Sequence, residues 1–146
     1  MKETKRNLKI LSIVILAMTV YSLIRVVLSV FTMNFDTNNL PDGVTAGIVL
    51  AGQIVTCVIS IIILLPQVYV GVKGIKISNN PESSKAHIVW AVILAIFSII
   101  GLISPVSNLI QNGDIVGNLL EAADMVIDTI IFIAYIKYAK QLSKAA

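Results

Sequence analysis

The segment VTAGIVLAGQIVTCVISIIILLPQVYVGV (Val44–Val72) contains no charged side chain and is longer than a bilayer requires. About 20 apolar residues in a helix cross a hydrocarbon core of about 30 Å. The excess length predicts a helix that tilts or bends, and Pro66 provides a mechanical reason for a bend. This segment indicates an integral membrane protein.

Three further apolar segments have the same character, at about residues 10–31, 88–110 and 115–136. The 146-residue chain is 57% hydrophobic and 13% charged, whereas a soluble domain has about 45–50% apolar and about 25% charged residues. Its mean hydropathy is +0.92. Only helices and closed barrels span a bilayer, and these runs lack barrel alternation. We therefore expect an all-α integral membrane protein: one domain, residues 1–146, forming a four-transmembrane-helix bundle with short outer loops.

The lysine and arginine residues are distributed unevenly along the chain. Those outside the spans precede the first span, fill the loop at about residues 73–87 and close the chain: Lys2, Lys5, Arg6, Lys9, Lys73, Lys76, Lys85, Lys137, Lys140 and Lys144. Neither residue type occurs in the other two loops, TMNFDTNNLPDG and QNGD. Because short cytoplasmic loops are enriched in these residues, we expect a plasma-membrane protein with both termini and the 73–87 loop in the cytoplasm.

Several function classes lack their sequence signals. The single cysteine, Cys57, cannot form an intramolecular disulfide and is typical of a buried packing thiol. Aromatic residues make up only 6% of the chain, so a stacking surface for nucleic acid is not expected. The sequence has no Ser/His/Asp or Cys/His set, no Gly-rich phosphate loop and no metal-spaced His/Cys set. We expect neither an enzyme nor a bound cofactor or metal.

Polar residues recur in every span at intervals of three or four, which places each set on one face of its helix. Most are small or neutral and are typical of helix–helix contacts in membranes. We take five of them as a polar lining that supports the charged residues of the first and fourth spans: Ser22, Gln53, Thr56, Ser98 and Asn108.

Packing does not account for Arg25 and the three acids of the fourth span, Glu121, Asp124 and Asp128. A charge near the bilayer centre costs about 2.5–3.5 kcal/mol on insertion scales, so such groups normally face a bundle interior and pair. At about 1.5 Å per residue, Arg25 and Glu121 each lie about 22 Å from the cytoplasmic end of their span, Asp124 about 18 Å and Asp128 about 12 Å. The depths predict a buried ion pair between Arg25 and Glu121 or Asp124.

One arginine cannot balance three carboxylates. The excess negative charge requires protonation, a bound cation, water entry or a basic group on a partner. Asp128, the acid furthest from Arg25 in depth, is the best candidate for protonation. These four residues are therefore the candidate ion-pair, ligand or proton site, and their role is either structural or functional.

The size and the four spans resemble those of the small multidrug transporters, whose paired short chains bind cations through a membrane-embedded glutamate. In that family the essential acid lies in the first span, where this chain has Arg25. The resemblance covers the architecture only. We expect a non-enzymatic accessory, interaction or immunity-type membrane protein in contact with the lipid bilayer, either as a homo-oligomer or in a larger membrane complex. The alternative is a cation- or proton-coupled small transporter or channel subunit that uses the acids of the fourth span.

Overall fold

The computed structural model describes residues 1–32, 45–81, 85–111 and 115–145. They form five helical segments: α1 (Lys2–Thr32), α2 (Ala46–Asn79), α3 (Ala86–Gly101), α4 (Ile103–Gln111) and α5 (Ile115–Ala145). The prediction of an all-α protein is confirmed. The predicted outer loops lie almost entirely in 33–44 and 112–114, outside the described residues.

Three helical stretches are long and apolar enough to cross a membrane: Lys2–Leu28, Ala46–Asn79 and Ala86–Ile110. They contain most of the first three predicted spans. The fourth predicted span is the first part of α5, a helix of 31 residues. Its three acids distinguish it from the other three stretches.

The third stretch is interrupted at Leu102, between α3 and α4. Pro105 explains the interruption, because proline has no N–H to donate to the carbonyl four residues earlier, that of Gly101. The chain nevertheless stays close to helical. The Leu102 N–H donates to the carbonyls of Ser98 (3.3 Å) and Ile99 (3.2 Å), and the Val106 N–H donates to that of Leu102 (3.2 Å).

The chain divides into two compact units. The first comprises Met1–Leu16 and Pro66–Ala146, and contains the start of α1, the end of α2 and all of α3, α4 and α5. Its core takes one face from each of four helices: Leu8 and Ile15 of α1, Val70 and Ile77 of α2, Ile88, Ala91, Leu94 and Ala95 of α3, and Phe132, Tyr135, Ala139 and Leu142 of α5. The steps of three, four and seven residues are those of helix faces.

Neighbouring helices alternate in direction within the first unit. The N-terminal parts of α1 and α3 share one core with the C-terminal parts of α2 and α5. The start of α1, the end of α2, the start of α3 and the end of α5 consequently lie at the same end of this unit.

The second unit, Ala17–Leu65, contains the rest of α1 and most of α2. Thr19 is buried in it, while large apolar side chains such as Ile24, Ile54 and Ile62 are more than half exposed. Exposed apolar side chains in such number suit contact with lipid rather than water.

Candidate functional site

The structure places the acids of α5 on the surface of the first unit. Glu121 and Asp124 are exposed, and Asp128 is half-buried. In this part of α5, Met125 is the residue that contacts α3. A Cβ added to Gly101, the last residue of α3, would lie 2.8 Å from the Met125 sulfur. Helical spacing shows which residues share a face, but it does not show which face a neighbouring helix covers.

Arg25 is also exposed, and it belongs to the second unit. The prediction of a buried salt bridge between Arg25 and Glu121 or Asp124 is therefore wrong with respect to burial. A chain of this size has little interior to offer, and in the first unit the buried residues lie mainly at the other end of the predicted spans. The assignment of Arg25 and the three acids as one functional site stays a prediction.

The five residues predicted as a supporting lining are not deeply buried. Ser22, Gln53, Ser98 and Asn108 are half-buried, and Thr56 is exposed. The Thr56 hydroxyl donates to the carbonyl of Gly52 (2.9 Å) and the Ser98 hydroxyl to that of Leu94 (3.0 Å). Such bonds satisfy a hydroxyl within its own helix, so these two side chains require no ligand.

A second group of residues, polar except for one glycine, is buried at the opposite end of the helices. This tyrosine cluster consists of Ser12 of α1, Gly74 of α2, His87 of α3 and Tyr135 of α5, and all four are buried. The Tyr135 hydroxyl donates to the backbone carbonyl of Val70 at 3.0 Å. The Tyr135 and His87 rings meet edge to face, with centroids 6.0 Å apart and planes at 85°.

Two glycines of α2 allow this close packing. A Cβ on Gly74 would lie 2.6 Å from Tyr135 Cε2, 2.8 Å from its hydroxyl oxygen, and against Ser12 Oγ. A Cβ on Gly71 would lie 2.6 Å from Leu16 Cγ. Absent side chains therefore let α1 and the Tyr135 ring of α5 approach the α2 backbone, a contact typical of membrane helices.

The tyrosine cluster connects α2, α3 and α5 directly, and Ser12 of α1 packs against it at Gly74. The Tyr135 hydroxyl is directed at a backbone carbonyl and its ring is packed against His87, so the cluster links α2, α3 and α5 by one hydrogen bond and one aromatic contact. Sequence reasoning missed it, because a histidine and tyrosines near the ends of spans are typical of the membrane interface. Two features of the sequence could have indicated it: the motif Gly71-x-x-Gly74, and the helical spacing of Phe132, Tyr135, Ala139 and Leu142.

Among the described residues, no group of three or more His, Cys, Asp or Glu side chains is arranged to hold a metal ion. Comparisons of the chain with protein-family models, with curated proteins and with solved structures give no significant match.

Proposed function

We propose that this chain is a non-enzymatic accessory membrane protein that spans the plasma membrane four times and associates, through the acidic face of α5, with a basic group in the span of a partner. The acidic face is defined by Glu121, Asp124 and Asp128. One observation carries the proposal: two of these acids are exposed on a helix whose neighbouring residues, such as Leu120 and Ile127, are also exposed and apolar.

The alternating helix directions in the first unit support four spans with both termini in the cytoplasm. That arrangement brings together the start of α1, the end of α2, the start of α3 and the end of α5, and all the lysines of the chain lie in or directly beside these segments. The positive-inside rule then assigns this end to the cytoplasm.

Cysteine labelling tests this orientation, because Cys57 is the only native cysteine. In a Cys57→Ser background, we expect Asn38→Cys to react with a membrane-impermeant maleimide in intact cells, and Lys2→Cys to react only after permeabilisation. The first position lies in a predicted outer loop and the second precedes the first span. Labelling of Lys2→Cys in intact cells would contradict the proposed orientation.

Charge balance favours a partner of another kind over a second copy. Whatever contacts Arg25 makes, it offers one positive charge against three carboxylates in the predicted spans. A homo-oligomer keeps this ratio, so its excess negative charge stays uncompensated. A partner with a lysine or arginine in its span would correct the imbalance where an isolated acid costs about 2.5–3.5 kcal/mol.

A synthetic helix tests this association directly. We expect a leucine–alanine transmembrane peptide with one lysine in its outer half to bind the reconstituted protein, measured by energy transfer in vesicles. The same peptide with leucine at that position should bind at least about ten-fold more weakly, because the charge contact is lost. The triple variant Glu121→Gln/Asp124→Asn/Asp128→Asn should lose the difference between the two peptides.

Glu3→Gln is the matched control, since it removes an exposed acid outside the predicted spans. It should bind the lysine peptide as the native chain does. Equal binding of both peptides to the native chain would rule out the proposed role of the acidic face. A proton or cation flux that Asp128→Asn abolishes would favour the transport alternative instead.

A further inference from the structure

A groove of about 430 Å³ lies between the start of α3 and the end of α5, within the first unit. It is lined by Lys85, Ile88, Val89, Lys140, Ser143 and Lys144. The three lysines are exposed. We call this feature the lysine groove.

The electrostatics of the lysine groove select an anion. Among the described residues, the lining carries three positive charges and no acid. The Ser143 hydroxyl can donate a hydrogen bond. Lys85 is also the N-cap residue of α3 and makes no capping hydrogen bond with its side chain. The positive end of that helix dipole therefore adds to the lysine charges.

The apolar part of the lining distinguishes a lipid from a small ion. Both apolar residues line the groove, Ile88 as a buried and Val89 as an exposed side chain. Both residues lie where the third predicted span begins, with exposed Trp90 next in the chain. A phospholipid can contact both parts of the lining, with its phosphate at the lysines and its acyl chain against Ile88 and Val89. A free phosphate would contact only the charged part.

We propose that the lysine groove binds the headgroup of an anionic phospholipid of the cytoplasmic leaflet, through Lys85, Lys140, Lys144 and Ser143. Basic pockets between membrane helices on the cytoplasmic side are suited to such headgroups. The volume lies within the range of small-ligand sites, about 300–1,000 Å³. The site is distinct from the acidic face of α5 and depends only on the proposed membrane placement.

Trp90, the only tryptophan of the chain, provides a native reporter. The protein is reconstituted in phosphatidylcholine vesicles that contain brominated phosphatidylglycerol or, separately, brominated phosphatidylcholine, and quenching of Trp90 fluorescence is measured. We expect phosphatidylglycerol to be preferred near Trp90 by about five-fold, a factor in keeping with lysine–headgroup attraction. The variant Lys85→Gln/Lys140→Gln/Lys144→Gln should show no preference.

The matched control is Lys2→Gln/Lys5→Gln/Lys9→Gln, which removes the same charge from α1 outside the lysine groove and should keep the preference. Equal loss in both triple variants would show general surface attraction and overturn the site. Loss of the preference on adding inorganic phosphate would assign the groove to the free ion and overturn the lipid assignment. Absence of quenching by either lipid would overturn the membrane placement and, with it, this proposal.

Discussion

Gly74→Leu should unfold the first unit, with a loss of at least about 3 kcal/mol of stability, at the upper end of the usual cost of overpacking. Even a Cβ at this position would lie against Ser12 Oγ and 2.6 Å from Tyr135 Cε2. The Tyr135 ring is fully buried, so it has no free space into which to move. A leucine side chain would have to separate α1 and the Tyr135 ring from α2.

Gly52→Leu provides a control in the same helix, because nothing in the described part of the chain lies within 4 Å of a Cβ at Gly52. Detergent-solubilised variants are heated and the remaining monodisperse protein is measured by size-exclusion chromatography. We expect the midpoint for Gly52→Leu to stay close to the native value, while Gly74→Leu yields little folded protein at any temperature. Similar midpoints for the two variants would show that the close approach at Gly74 does not hold the helices together.

The helical fold could be predicted from the sequence because its cause is local. An uncharged run such as Val44–Val72 must satisfy its backbone hydrogen bonds internally in a bilayer, and a helix does so. The interruption at Leu102 has a local cause as well, in Pro105. The helices extend beyond the predicted spans at the lysine-rich end, since hydropathy defines where a chain contacts lipid and not where its helix ends.

The burial of side chains could not be predicted in the same way. The spacing of Glu121, Asp124 and Asp128 correctly places them in one helix, but burial depends on where α3 and α4 lie against α5. Depth matching with Arg25 gave no information on that question. Tyr135 and His87 show the same limit, because a tyrosine and a histidine near the end of a span are typical of the membrane interface, whereas both side chains are fully buried.

The lysines show a third limit of the sequence. The positions of Lys85, Lys140 and Lys144 between and after the predicted spans were enough to predict the orientation of the chain, since the positive-inside rule counts charges by loop. Lys85 is separated from the other two by the whole of α3, α4 and most of α5. The short QNGD loop predicts that the third and fourth spans are antiparallel neighbours, but it does not show which residues of the two helices meet, and the convergence of the three lysines on one groove depends on that.

Tyr135→Ala is the second substitution for which we expect a large loss, about 3 to 5 kcal/mol, the range for replacing a buried aromatic residue by alanine. It removes the edge-to-face contact with His87, the hydrogen bond to the Val70 carbonyl and most of a fully buried side chain. The cavity would open where α2, α3 and α5 meet. The thermal midpoint of the detergent-solubilised protein measures the effect.

Two further variants separate the causes of that loss. Tyr135→Phe keeps the ring and removes the hydroxyl, so it should cost only about 0.5–1.5 kcal/mol. The Val70 carbonyl, in mid-helix, also accepts a bond from the amide four residues on and is not left unpaired. Tyr21→Ala removes a tyrosine that is 61% exposed and should change the midpoint little. If Tyr135→Phe destabilised the protein as strongly as Tyr135→Ala, the packing of the ring would not be the main source of stability. The hydrogen bond from the Tyr135 hydroxyl to the Val70 carbonyl would then be the main link between the helices.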